Sequence, residues 1–304
     1  MMTFVYHSNR HIMRTRSIEK ILPPPPIHWV GDGFRVHNFI PGVRPLDMSR
    51  MSPFILLDYN SNYYFAPSDK PKGVGVHPHR GFETVSIAYK GRVAHHDSFG
   101  NSGVIGEGDV QWMTASSGLL HKEYHEKEFS IKGGNFHMVQ LWVNLPARDK
   151  MSPPKYQPIT HDEMGKFKLP DNGGTIEIIS GEYGEVKGPA VTFTPVSLMN
   201  ARLNKGGKAT FSFPAEYNTG LLIVEGSIKV NGTENAKTDH FVLLRNDGDE
   251  FTIEAVENAI VLVLSGEPIR EPIAAHGPFV MNTREEIMQA YEDMNKGKFG
   301  YLED

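Results

Sequence analysis

Between residues 29 and 143 the apolar positions fall in short runs, each cut off by glycine, proline or acidic turn residues. Residues 83–89 alternate: Glu83, Val85, Ile87 and Tyr89 share one side of an extended chain, and Thr84, Ser86 and Ala88 share the other. That is the two-residue period of a strand. Residues 36–40 and 110–113 read as further strands, 54–59 as an apolar run buried on both faces, and 136–145 as the strand that closes this half. Pro146, Pro153, Pro154, Pro158 and Pro170, with few large aliphatics between them, read as a connection over the surface. Apolar runs resume at 175–179, 221–224, 241–244, 251–253 and 260–264, and Asn231-Gly232 is the dipeptide a two-residue hairpin prefers. One helix is legible. Thr283 and Glu286 form a capping box, Ile287, Ala290, Tyr291 and Met294 an apolar stripe, and Gly297 a stop.

The two β-rich segments look alike. Residues 83–91 and 219–226 each run to a glycine, Gly91 and Gly226, 135 positions apart. A polar strand and a turn rich in Gly and Asp follow in each case (106–109 and 247–249). The repeat predicts an all-β chain of two closed barrels in tandem with a C-terminal helix, an arrangement that removes the sheet edges twice. The expected division is an N-terminal extension and lead-in at 1–28, a first barrel at 29–150 and a connection at 151–174. A second barrel at 175–282 and a helix and tail at 283–304 complete it.

Composition narrows the class. The chain has 304 residues, 39% of them hydrophobic, which is ample for two cores, and its 30 Gly and 21 Pro suit many short strands. No run nears the ~20 apolar residues that span a bilayer. The absence of cysteine excludes disulfides, thiolate metal ligands and cysteine nucleophiles. A net charge of −5 with both signs interspersed offers no footprint for nucleic acid or anionic lipid. These features predict a cytoplasmic, monomeric chain with no direct nucleic-acid or membrane contact. Residues 1–16 hold Arg10, Arg14 and Arg16 and no acid; an upstream start codon, with Met13 as alternative initiator, explains this better than a targeting helix. Residues 23–26, four prolines, read as a rigid lead-in.

Candidate chemistry sits in the histidines. Of fourteen, seven lie between 77 and 137. His77-Pro78-His79 places two imidazoles on one face of an extended chain, and His121-Lys122-Glu123 places an imidazole and a carboxylate likewise. If the two strands are neighbours, these groups converge inside a barrel, able to reach one ion at about 2.1 Å. Three imidazoles and a carboxylate suit a borderline divalent metal such as Fe, Mn, Co, Ni, Cu or Zn. Of the adjacent pair His95-His96 at most one can point inward, and the pair is read mainly as surface. His125 shares the parity of His121 and Glu123 and is placed toward the barrel mouth. A shift of 135 puts Ser212 and Pro214 where His77 and His79 stand, so one metal per chain is expected, in the first barrel.

The segments Gly75-Val-His77-Pro-His79-Arg-Gly-Phe-Glu83-Thr-Val, Gly108-Asp-Val-Gln-Trp112-Met-Thr-Ala115 and Gly118-Leu-Leu-His121-Lys-Glu123 resemble the pirin family of bicupins. Residues 278–283 and the helix after them also look like a pirin C-terminus. The resemblance covers nearly the whole chain and implies two cupin-type jelly-roll barrels. It implies that His77, His79, His121 and Glu123 hold the metal, Fe(II) first among the candidates. It moves Glu83, which shares parity with the first doublet, to a position behind the ligands. There it could accept an N–H from a ligating imidazole, or be a buried acid bonded to backbone.

Some pirins resemble flavonol 2,4-dioxygenases (quercetinases). The chemistry implied is chelation of a flavonol's 3-hydroxyl, proton removal by Glu123 and reaction with O₂. Phe39, Phe54 and Trp112 are candidate pocket walls for flat rings, or ordinary core aromatics. The competing implication is a metal- or redox-dependent binding protein that modulates a transcription regulator or a metabolic enzyme.

Overall fold

The computed structural model describes residues 14–303. Every strand pair in its sheets is antiparallel, and each barrel combines a seven-stranded sheet with a four-stranded one. In the first barrel the large sheet runs Lys155–Ile159, Val110–Thr114, Phe82–Lys90, Gly134–Asn144, Phe54–Phe65, Phe34–Ile40, Ile27–Val30. Its small sheet runs Gly73–His79, Leu119–His125, Val93–Asp97, Ser102–Ile105. The second barrel repeats the plan, with Asn218–Glu225, Ala259–Gly266 and Val196–Leu203 central in its large sheet. The chain is thus all-β with tandem barrels, as the repeat predicts. The helix Arg284–Asn295 begins at Thr283 with the expected capping box and buries Ile287 and Ala290.

Alternation in the strands decides how the barrels meet. Val85, Ile87 and Tyr89 leave the first barrel and pack in one buried cluster with Leu222, Val224, Phe241, Leu262 and Leu264 of the second. Leu221, Ile223, Val261 and Val263 turn the other way, into the second barrel's own core. The two large sheets therefore stack back to back. Phe39, Phe54 and Trp112 are fully buried in that shared cluster. They are core aromatics between the barrels.

Two expected segments join the barrels. Residues 18–22, placed in the lead-in, form the strand Ile18–Leu22 at the edge of the second barrel's large sheet, against Phe241–Leu244. The edge would otherwise show open backbone, and an early segment covers it. Arg16 pins this strand: its buried guanidinium donates to Gly248 O at 3.0 Å, to Tyr217 O and Pro214 O at 2.7 Å each, and to Thr219 Oγ1 at 2.8 Å. Arg10 and Met13 lie outside the described residues. The connection at 151–174 is likewise part of both sheets, giving Lys155–Ile159 to the first barrel and Gly165–Lys168 to the second.

The tail returns to the first barrel. Phe279, Ile287, Ala290 and Phe299 form their own buried cluster, and Asp293 pairs with buried Arg80 at 2.9 Å. Lys150, 1% exposed, donates to Gly81 O at 2.7 Å, Asn144 Oδ1 at 2.6 Å and Val280 O at 2.9 Å. An ammonium has three hydrogens, and each meets an acceptor, one of them on the tail. Lys150→Met should leave these acceptors buried and unpaired, at a cost of about 2–4 kcal/mol. A urea midpoint unchanged by the substitution would contradict that account.

Candidate metal centre

The two histidine doublets lie on neighbouring strands. His121 on Leu119–His125 stands directly opposite His77 on Gly73–His79, and Leu119 stands opposite His79. Across the other edge of the same strand, Glu123 faces His95. Ring centroids of His77 and His121 are 4.2 Å apart, and those of His79 and His121 4.8 Å. Ligand atoms of His77, His79 and His121 lie within 4.8 Å of one another, and so do those of His95, His121 and Glu123. His121 belongs to both groups.

Each imidazole is oriented through Nδ1. His77 Nδ1 contacts Gly75 O at 2.8 Å, His79 Nδ1 contacts Pro278 O on the returning tail at 3.4 Å, and His121 Nδ1 lies 3.5 Å from His95 Nδ1. Engaging Nδ1 leaves Nε2 as the ligand atom, the usual division of labour around a metal-bound histidine. His121 Nε2 is buried without a partner. Burial, and then the neighbouring imidazoles, hold His79 and His121 well below the ordinary histidine pKa. Neutral rings with vacant Nε2 atoms are what a transition ion requires.

Glu123 is held by the opposite sheet. Its Oε1 accepts from Gln111 Nε2 at 2.6 Å and Ser86 Oγ at 3.3 Å, and its Oε2 accepts from Gln140 Nε2 at 2.7 Å. Gln111, Ser86 and Gln140 pair side by side on three adjacent strands, and the row continues through Asp58 to Asn38. This polar line crosses the inner face of a sheet whose outer face is mainly apolar at the barrel interface. Sequence reading missed Gln111 and Gln140. The available signal was an amide inside a strand otherwise built of buried apolar residues.

Beside His77 and Glu123 a narrow cleft reaches the surface. Phe34, Val36 and Met138 line its apolar side; Asp58, Asn60 and Gln140 line its polar side. It offers about 30 Å³ of free space, and about 360 Å³ with its open mouth.

Three expected placements change. His95 is fully buried, stacked on Tyr156 with centroids 5.0 Å apart, whereas its neighbour His96 turns outward to Tyr124. One of the pair points inward, so the surface reading fails for His95. His125 is not at a mouth but buried among Phe34, Phe65, Phe129 and Phe136, with Nε2 at 2.9 Å from Gly33 O. Glu83 accepts from Thr114 Oγ1 at 2.7 Å and has no recorded bond to His77, His79 or His121. Gly81, at φ +93°, interrupts the chain between the two strands and resets the alternation, so Glu83 shares its side with Val85 and Ile87.

Known proteins carry the same design. Residues 33–143 match the family model described as Pirin, and residues 198–300 match the Pirin C-terminal cupin domain. The chain belongs to the pirin family. A Pseudomonas aeruginosa relative named "Putative quercetin 2,3-dioxygenase" is 46% identical over 90% of this chain and 94% of its own. A pirin-like protein of Solanum lycopersicum is 36% identical over 89% of each. The crystal structure of a quercetin 2,3-dioxygenase from Acinetobacter baumannii superposes with a TM-score of 0.89 at 45% identity, covering 95% of this chain and 100% of that one. This pirin therefore has the tandem cupin fold and a histidine-glutamate cluster of the kind that holds metal in the family.

Burial in the inter-barrel seam lifts the Glu83 carboxyl to about 7, with the Thr114 hydroxyl opposing the shift. The unfolded chain releases this proton near pH 4.5 and the folded chain keeps it to about 7, so stability should fall as pH rises through that window. Glu83→Gln should match wild type at pH 5 and exceed it by ~1–3 kcal/mol at pH 8, with metal affinity unchanged. Parallel pH profiles of urea stability, or an emptied metal site, would refute this placement of Glu83.

Proposed function

We propose that this pirin binds one divalent transition metal per chain through His77, His79, His121 and Glu123, and that it opens flavonols such as quercetin with O₂. The observation that carries the reading is the clustering of Nδ1-anchored imidazoles beside an amide-held carboxylate at the inner end of a cleft. The names of the Pseudomonas and Acinetobacter relatives support the substrate class. Three imidazoles and a carboxylate favour a borderline ion, with Fe(II) first and Mn, Co, Ni, Cu and Zn as alternatives.

When bound, such an ion supplies chelation of the flavonol's 3-hydroxyl, a lowered pKa for that hydroxyl and access for dioxygen. The chain's own residues do the remainder. Glu123 receives the 3-hydroxyl proton on a carboxylate oxygen, while Gln111, Ser86 and Gln140 keep that carboxylate aimed. His95 fixes the plane of the His121 ring from its Nδ1 side. Phe34, Val36 and Met138 exclude water along one wall of the cleft. The net change adds O₂ to the ring and releases carbon monoxide.

Elemental analysis should find one metal per chain, with His77→Ala or His121→Ala losing most of it. Gln140→Leu should weaken metal binding by about 10- to 100-fold, the usual effect of removing a partner of a ligand. Glu123→Ala should abolish the oxygen uptake that accompanies bleaching of quercetin's visible absorbance. A metal-loaded wild type that consumes no oxygen with quercetin under Fe, Mn, Co, Ni or Cu would defeat the dioxygenase reading.

A further inference from the structure

The cleft has a second chemical end. Phe54–Phe65 carries two polar residues on its inner face two positions apart, Asp58 and Asn60, and both line the cleft that begins at His77 and Glu123. Neither contacts the histidine cluster. Asp58 is one strand beyond Gln140 in the polar row, and its Oδ1 accepts from Asn38 Nδ2 at 2.7 Å. Asn60, 2% exposed, has its Oδ1 buried with no hydrogen-bond partner.

A buried acceptor without a donor costs about 1–3 kcal/mol. Folding does not require this one, because a leucine has nearly the same size as an asparagine and could pack against the apolar side of the same cleft. Asn60 lines the cleft, so a ligand that enters it can bring the donor this buried oxygen lacks. A carboxylate beside it adds a second acceptor. Phe34, Val36 and Met138 line the same cleft as these acceptors, an apolar wall that suits the face of a flat ring.

We infer that Asn60, with Asp58 beside it, is a hydroxyl-recognising subsite that selects flat substrates carrying a donor hydroxyl remote from the oxygen pair at the metal end. The inference rests on the proposed metal site and names the substrate class more narrowly: polyhydroxylated flavonols, not the bare 3-hydroxyflavone skeleton. Both compounds offer the same chelating edge. Only the polyhydroxylated one can fill the vacant acceptor, and a site built to bind a hydroxyl penalises the analogue that lacks it.

The test is equilibrium binding, followed by the shift in flavonol absorbance, to the zinc-loaded full chain, where no turnover interferes. Quercetin should bind wild type at least about 10-fold more tightly than 3-hydroxyflavone. Asn60→Leu should bring the two within about 3-fold, mainly by weakening quercetin, and Asp58→Asn should narrow the gap in the same direction. Equal binding of the two by wild type, or a preference that survives Asn60→Leu, overturns the subsite. If neither flavonol binds, the flavonol reading falls and the subsite with it. If the preference and its loss are seen but no metal supports oxygen uptake, the dioxygenase reading falls and the subsite stands.

Discussion

The seam between the two large sheets is the constraint on which the remaining structure depends. Each seven-stranded sheet is buried on both sides, and the face it turns to the other barrel is filled by large side chains such as Phe39, Trp112, Phe241 and Leu262. Burial of apolar surface at about 25 cal/mol per Å² makes this contact a main source of cohesion. With its outer face secured in that way, the first barrel's sheet can carry a line of amides, a hydroxyl and a carboxyl across its inner face. Polar groups placed there cost little so long as each finds a partner.

Duplication then allows the two copies to diverge. The second barrel keeps the plan and fills its interior with Phe211, Phe251, Ile253 and Met199. The first gives up part of that interior to histidines and their supports, and its apolar packing is correspondingly divided into smaller clusters. One barrel acts as a foundation and the other as a site. The chain's returning end supplies the missing closure over the first barrel, through Arg80, Lys150 and the cluster around Phe279.

Much of this was legible in residues alone. Period-two alternation at 83–89 correctly separated the face of Val85 and Ile87 from that of Ser86 and Ala88, and the glycine-ended repeat revealed two barrels. The histidine doublets were legible because their members are two residues apart on strands that prove to be neighbours. What escaped depends on distance in sequence or on parity across a break. Glu83 was correctly grouped with Val85 and Ile87, but its parity with His77 and His79 was carried across Gly81, where alternation breaks. Gln140 and Tyr156 reach the site only through the order of strands in a sheet, and no local pattern encodes that order. Arg16 was placed in an N-terminal extension with no structural role, since its acceptors are all about 200 residues away or more.

The contact between His79 and Pro278 spans 199 positions. A ribosome that has finished the first barrel has therefore made all four proposed ligands but not the carbonyl that sets the His79 ring. Until the second barrel and the tail emerge and fold back, that imidazole has only the neighbouring rings of Phe82, Trp142, His77 and His121 around it. The proposed site is thereby finished only when the chain is, because its last orienting contact comes from the tail.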